Sequence, residues 1–177
     1  MQTASTVVLL ALLVAGSQAP AQKADPWSPY RFLIGTWTGE GQGQPGNTTG
    51  TATFKLDLAG RILVRTSSTS VPARGQQPGY VHEDLLVVYR EAPGAAARAI
   101  YWDNEDHTIE YDASVSADGK AVTFVSKASP SAMRFRLVYT RLDASRVDVK
   151  FEMAPPGSPE AFKVYTQGVT RRVDGGQ

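Results

Sequence analysis

What most constrains this chain is an alternation of apolar and polar residues with a period of two. In "RVDVKFEMA" (146–154), Val147, Val149, Phe151 and Met153 fall on one face and Asp148, Lys150 and Glu152 on the other. "TATFKLDL" (51–58) and "MRFRLVYTRL" (133–142) repeat the pattern, and it places Arg134 and Arg136 on a wet face. Successive side chains of an extended strand point to opposite sides, so these segments read as strands with one dry and one wet face. Beyond Asp25 no stretch of about ten residues or more keeps a helical period.

Turn signals divide the chain at the spacing of hairpins: "AG" (59–60), "DNED" (103–106), "SADGK" (116–120) and "LDASR" (142–146). Longer loops fall at "VPARGQQPG" (71–79), "EAPGAA" (91–96) and "APPGSPE" (154–160). About ten strands result, over 35–44, 49–59, 61–71, 80–90, 97–103, 107–116, 121–128, 132–142, 146–154 and 161–173. Short connections suit a sequential antiparallel meander, and a meander of this length removes its two exposed edges by closing on itself. The expected fold is all-β: a single closed up-and-down antiparallel barrel of about ten strands with a short N-terminal helical plug. A two-sheet sandwich is the alternative, and it usually needs longer crossover connections than this chain provides.

The leading segment is of another kind. An apolar run from Val7 to Ala15 is followed by small residues ending in Ala19-Pro20-Ala21, the pattern of a signal-peptidase site. The run is shorter than the roughly 20 residues that span a bilayer. Residues 1–21 therefore read as a signal peptide, 22–34 as a lead-in or plug, and 35–173 as the barrel. The chain has no cysteine, so disulfides, thiolate metal sites and a cysteine nucleophile are excluded. With a net charge of +1 and no basic run, nothing marks it as a nucleic-acid binder. The localisation expected is secreted, in a bacterial periplasm.

Gly35-Thr36-Trp37, behind the aromatic lead-in "PWSPYRFLI" (26–34), resembles the G-x-W signature of lipocalins and their calycin relatives. That resemblance implies that Gly35 and Trp37 sit at the closed end of the barrel, under a short helix. It also implies that an arginine of the last strand, Arg171 or Arg172 in "GVTRRV", lies over the indole. The fuller "GTWTGEG" (35–41) is similar to the opening of nitrobindin-like heme proteins, which are ten-strand barrels. Uncharacterised secreted bacterial lipocalin-like proteins share the flavour of "HEDLLVVY" and "YWDNEDHTIEY". Nitrobindins hold heme iron with a histidine close to the C-terminus, whereas "FKVYTQGVTRRV" here has none. Heme is accordingly not expected, and no other cofactor is implied.

Two segments carry candidate ligand contacts. "YVHEDLLVVY" (80–89) places His82 and Asp84 on one strand face, and "YWDNEDHTIEY" (101–111) gathers Trp102, His107 and Tyr111 about an acidic turn with Asp103, Glu105, Asp106 and Glu110. Imidazole and carboxylates at a barrel rim can bind a ligand or form an acid/base pair, while Asp and Asn are also ordinary turn residues. No metal site is assigned. The expected lumen is lined by Phe54, Leu56, Leu58, Val122, Phe124, Phe135, Leu137, Val149 and Phe151.

These features point to a binding protein for a small apolar or amphipathic molecule, a monomer or homodimer without a membrane span. One alternative is an enzyme, a metal-assisted hydrolase or an isomerase working through His82 and the 102–107 turn. A second is a non-catalytic envelope interaction module with a fully packed barrel.

Overall fold

The computed structural model describes residues 25–173; the expected signal peptide lies outside the described residues. A 3-10 helix (Ser28–Leu33) leads into ten strands: β1 (Gly35–Gly43), β2 (Thr48–Asp57), β3 (Ile62–Val71), β4 (Tyr80–Tyr89), β5 (Arg98–Asp103), β6 (Thr108–Val115), β7 (Ala121–Ser126), β8 (Arg134–Arg141), β9 (Arg146–Ala154) and β10 (Lys163–Arg172). Each strand pairs antiparallel with its neighbour in sequence, and β1 pairs with β10, in register from Trp37 opposite Arg172 to Gly43 opposite Thr166. The sheet is therefore a closed barrel without free edges, and the sandwich is ruled out. Among the described residues no helix is long and apolar enough to cross a membrane.

Because consecutive strands alternate in direction, their connections collect at two ends. The 3-10 helix and the turns at 58–61, 90–97, 116–120 and 142–145 lie at one end; loops 44–47, 72–79, 104–107, 127–133 and 155–162 lie at the other. The first end is sealed. Trp27, Tyr30, Leu33 and Trp37 are buried there in one apolar cluster, with Trp27 and Tyr30 meeting edge to face at 5.7 Å. Both buried indoles find an acceptor, as an apolar site demands of an N–H: Trp37 Nε1 donates to Leu33 O at 2.7 Å and Trp27 Nε1 to Gly60 O at 2.6 Å.

Above this floor an edge-to-face chain of rings fills one side of the lumen. Phe54 meets Tyr139 at 5.4 Å, Tyr139 meets Phe124 at 6.3 Å, and Phe124 meets Tyr111 at 6.3 Å. Each such pair adds about 0.5–1.5 kcal/mol beyond area burial.

The expected lumen residues hold in part. Phe54, Val122, Phe124 and Leu137 are buried in the core, and Leu56, Phe135, Val149 and Phe151 pack against it. Leu58 is a correction. It is 64% exposed, because the β2–β3 turn begins one residue before the Ala59-Gly60 pair, with Leu58 and Ala59 both left-handed (φ 48° and 55°). Gly60 N donates to Asp57 O at 3.0 Å, closing a two-residue turn that carries Leu58 out of the sheet.

Candidate functional site

Opposite the aromatic chain the lumen is hollow. A cavity of about 170 Å3 runs between β1, β2, β3, β9 and β10, from Leu33 and Trp37 at the floor to Thr48 and Thr166 near the loop end. Glycines on three strands contribute to its wall. Along this wall every second residue that follows Trp37 is a glycine, and β2 and β10 supply two more, with Gly39 opposite Gly50 and Gly41 opposite Gly168. At these glycines the strands lie close together, and a β-carbon on Gly39, Gly41, Gly50 or Gly168 would fall within 3.0 Å of an atom of a neighbouring strand. Phe54, Tyr139, Val147, Val149 and Phe151 give the lining an apolar side, Arg65, Ser67 and Thr69 on β3 a polar stripe, and Thr48, Thr166 and Thr170 add hydroxyls on β2 and β10.

Arg65 is the one buried cation of the described residues, 6% exposed. It stands on the same side of β3 as Leu63, so it enters the barrel with the core. Its Nη2 donates to Asp84 Oδ1 on β4 and its Nη1 to the Tyr139 hydroxyl on β8. Burial works to lower the Arg65 pKa, but the Asp84 carboxylate together with the Tyr139 and Tyr101 hydroxyls outweighs it and holds the guanidinium charged. Burial also raises the Tyr139 hydroxyl, which stays neutral. Arg65 Nε is buried and has no partner.

The candidate residues divide. His82 and Asp84 point into the lumen, where His82 Nε2 lies 3.0 Å from the Tyr101 hydroxyl and 3.6 Å from Asp84, and Nδ1 lies 2.7 Å from Glu105. Tyr101 donates onward to Asp103 Oδ2 at 3.1 Å. Burial works to raise the Asp103 carboxyl, yet hydrogen bonds from His107, Glu105 and Tyr101 outweigh it and hold it below the usual carboxylate range. His107 is bound to Asp103 at 2.9 Å but stands mostly in solvent, and Tyr111 is a core residue against Phe124. Trp102 is separate from them. Its neighbours in register, Leu85 and Thr108, share the outer face with it, and it is 39% exposed.

The acidic turn is also a structural clasp. Asn104 Nδ2 donates to Val81 O at 2.9 Å and Asn104 Oδ1 accepts from Glu83 N at 3.0 Å, tying the turn to β4 where β5 has ended. Among the described residues no group of three or more His, Asp or Glu is arranged to hold a metal ion.

Of the barrel-closing candidates, Arg172 lies over Trp37, while Arg171 is exposed. Gly35 adopts a φ of 128°, and a side chain there would collide with the Arg172 guanidinium.

Arg65 and Tyr139 went unrecognised in the sequence as site residues. The available signal was a charge on the apolar phase of "ILVRTSST", since a cation alternating in step with Leu63 must enter the core with its own counterion.

No family model and no curated protein matches the chain. Among solved structures it is similar to a de novo designed fluorescence-activating β barrel (12% identity, TM-score 0.44, covering 81% of this chain and 95% of that one). It is also similar to EF1p2_mFAP2b bound to DFHBI (11%, 0.41, 82% and 97%). A third similar structure is a protein of unknown function of the DUF3598 family from Nostoc punctiforme (8%, 0.30, 86% and 100%). At such identity and overlap nothing about ligands carries across.

Proposed function

We propose that the protein is a secreted, periplasmic binding protein for a small apolar or amphipathic molecule, which enters from the loop end and lodges against Trp37. The observation that carries this is the cavity of about 170 Å3 along the glycine wall, bordered by aromatic and valine side chains. An apolar cavity of about 150 Å3 is enough to take up benzene, so one six-membered ring is the scale of what fits. The apolar run and small-residue boundary before residue 22 support export. A hollow lumen also argues against a purely packed interaction module.

The His82 cluster supports a second, weaker reading. An imidazole set between Glu105 and Tyr101 has the orientation of a general base, but His82 does not line the cavity.

Native mass spectrometry of protein taken from its own envelope, together with calorimetric titration by toluene, tests the binding reading. Saturable one-to-one uptake with a negative heat-capacity change is expected. No retained compound and no uptake of toluene, phenol or indole would sink it.

A further inference from the structure

A second space opens at the loop end, and none of its lining residues lines the lumen cavity. Loops 44–47, 72–79 and 104–107, with Tyr80 at the start of β4 and Tyr165 near the start of β10, border a cleft of about 530 Å3. Sites for small molecules span about 300–1,000 Å3. Five lining residues carry rigid rings: Pro45, Pro72, Pro78, Tyr80 and Tyr165. Tyr165 is braced edge to face on Phe151 at 6.1 Å. The 72–79 loop is closed on itself, with Arg74 N donating to Gln77 O at 2.9 Å and Gln77 N to Arg74 O at 3.0 Å. Such a wall is formed before a ligand arrives, and its rings offer contact area at little cost in conformational entropy. Burial first, then the Glu105 carboxylate and the Tyr165 hydroxyl, raise the Tyr80 hydroxyl above its ordinary value, so these three groups face one space and Tyr80 stays a neutral donor.

Apart from Val71 the rest of the lining is polar: Gln44, Gln77, Arg74 and Glu105. Its one cation and one anion cancel, and each is engaged. Arg74 Nη1 donates to Gln44 O at 2.9 Å, and Glu105 Oε1 lies 2.7 Å from His82 Nδ1. A wall without net charge gives an ion no field to follow. A wholly apolar molecule fits no better, because it would strip water from two amides, a guanidinium and a carboxylate and return no hydrogen bonds. A proline-rich peptide suits rings of this kind, but its backbone offers carbonyl acceptors and few donors, while Glu105 can only accept. Hydroxyl groups both donate and accept, so they match amide, phenol and carboxylate alike. A sugar ring joins such hydroxyls to a flat face of C–H groups that lies against a phenol or proline ring. We infer that this cleft is a second binding site, for an uncharged saccharide that stacks on Tyr80 and Tyr165 and hydrogen-bonds to Gln44, Gln77 and Glu105.

Cellobiose titrated into the intact protein and followed by nuclear magnetic resonance tests this, with toluene titrated separately as the probe of the lumen. Saturable shifts of the Gln44 and Gln77 side-chain amides are expected on addition of cellobiose. Tyr80→Ala should weaken cellobiose about tenfold. Gln77→Ala, on the exposed loop, should weaken it severalfold, and an unchanged unfolding midpoint in either variant shows that the barrel is intact. Glucuronate is expected to bind more weakly than glucose. No saturable binding of cellobiose, maltose or lactose overturns the inference, and toluene uptake decides the lumen reading independently of that result. Tighter binding of glucuronate than of glucose overturns the uncharged class. Hexaproline binding to the same amides more tightly than cellobiose overturns the saccharide class. Cellobiose affinity unmoved by both Tyr80→Ala and Gln77→Ala overturns the site.

Discussion

The Arg172 guanidinium carbon lies 4.3 Å from the centre of the Trp37 ring, while Nη1 and Nη2 of the same side chain donate to Ile34 O at 2.5 Å and Phe32 O at 3.0 Å. One residue of the last strand thus holds both the indole of the first strand and the end of the 3-10 helix, where backbone carbonyls have no helical partner. Arg172→Ala is expected to lower stability by about 2–4 kcal/mol, the sum of a partly desolvated cation–π contact and two backbone hydrogen bonds. Arg172→Lys keeps the cation but cannot reach both carbonyls, so it should fall about midway. Denaturant unfolding of the three proteins checks the order; equal midpoints would show that the seal is held by apolar packing alone.

Ala52 lies opposite Trp37 in the β1–β2 register and lines the cavity. Ala52→Leu adds three carbons to a space of about 170 Å3. Filling apolar space stabilises by about 0.8 kcal/mol per buried methylene, so the variant should melt no lower than the parent while losing toluene uptake at least tenfold. Retained uptake would place the ligand elsewhere.

The glycine wall is close to neighbouring backbone as well as hollow. A β-carbon on Gly168 would overlap Glu40 O and come within 3.0 Å of the Gly41 α-carbon. Neither backbone group can step aside without moving a strand. Gly168→Ala is expected to destabilise by about 1–3 kcal/mol, the range of overpacking, with the loss seen in the unfolding rate or the denaturation midpoint.

In the β2–β3 turn two residues with side chains hold the left-handed region, Leu58 at φ 48° and Ala59 at φ 55°. Each pays a steric penalty that Asn or Gly avoids. The pair of changes Leu58→Asn and Ala59→Gly should raise stability by about 1–2 kcal/mol and the melting temperature by several degrees. Trp27 Nε1 donates to Gly60 O, so an unchanged indole environment in the near-ultraviolet spectrum would show that the floor is undisturbed.

That turn also shows how legibility varied. Strand number, order and closure followed from the two-residue period and short connections, because burial of one face leaves little freedom of register. The plug was legible from Gly35-Thr36-Trp37 and the arginines of the last strand. Leu58 misled because apolar character marked it for the core while backbone geometry, invisible in composition, took it out. The inward faces of β4 and β5 were unreadable for a different reason. His82 and Asp84 alternate with Glu83 and Leu85, so neither face is plainly dry. Only the register of Ser67 opposite Asp84, and Asp84 opposite Asp103, puts the polar set inside, where it meets Arg65. The cavity wall was half visible: the glycines of β1 can be read off the sequence, but their alignment with Gly50 and Gly168 is a property of pairing across strands.

Four phenols make the fold sensitive to alkali. Burial, chiefly, raises the hydroxyls of Tyr30, Tyr101, Tyr111 and Tyr139 above their ordinary value of 10.0, and the Asp84 carboxylate adds to this at Tyr101. A raised pKa means that the folded state keeps a proton that the unfolded state releases first. Below about pH 10 both states are protonated and the contribution is fully present; above it the unfolded chain ionises and stability falls, by up to about 1.4 kcal/mol per pH unit for each such group. Denaturation midpoints are therefore expected to stay level with respect to these groups up to about pH 10 and to drop steeply beyond it. Ultraviolet absorbance should show the four phenolates arriving together with loss of the fold rather than ahead of it. Ionisation of all four near the ordinary value in a still-folded barrel would mean that the aromatic side of the lumen admits water, and the division into one packed and one hollow half would be wrong.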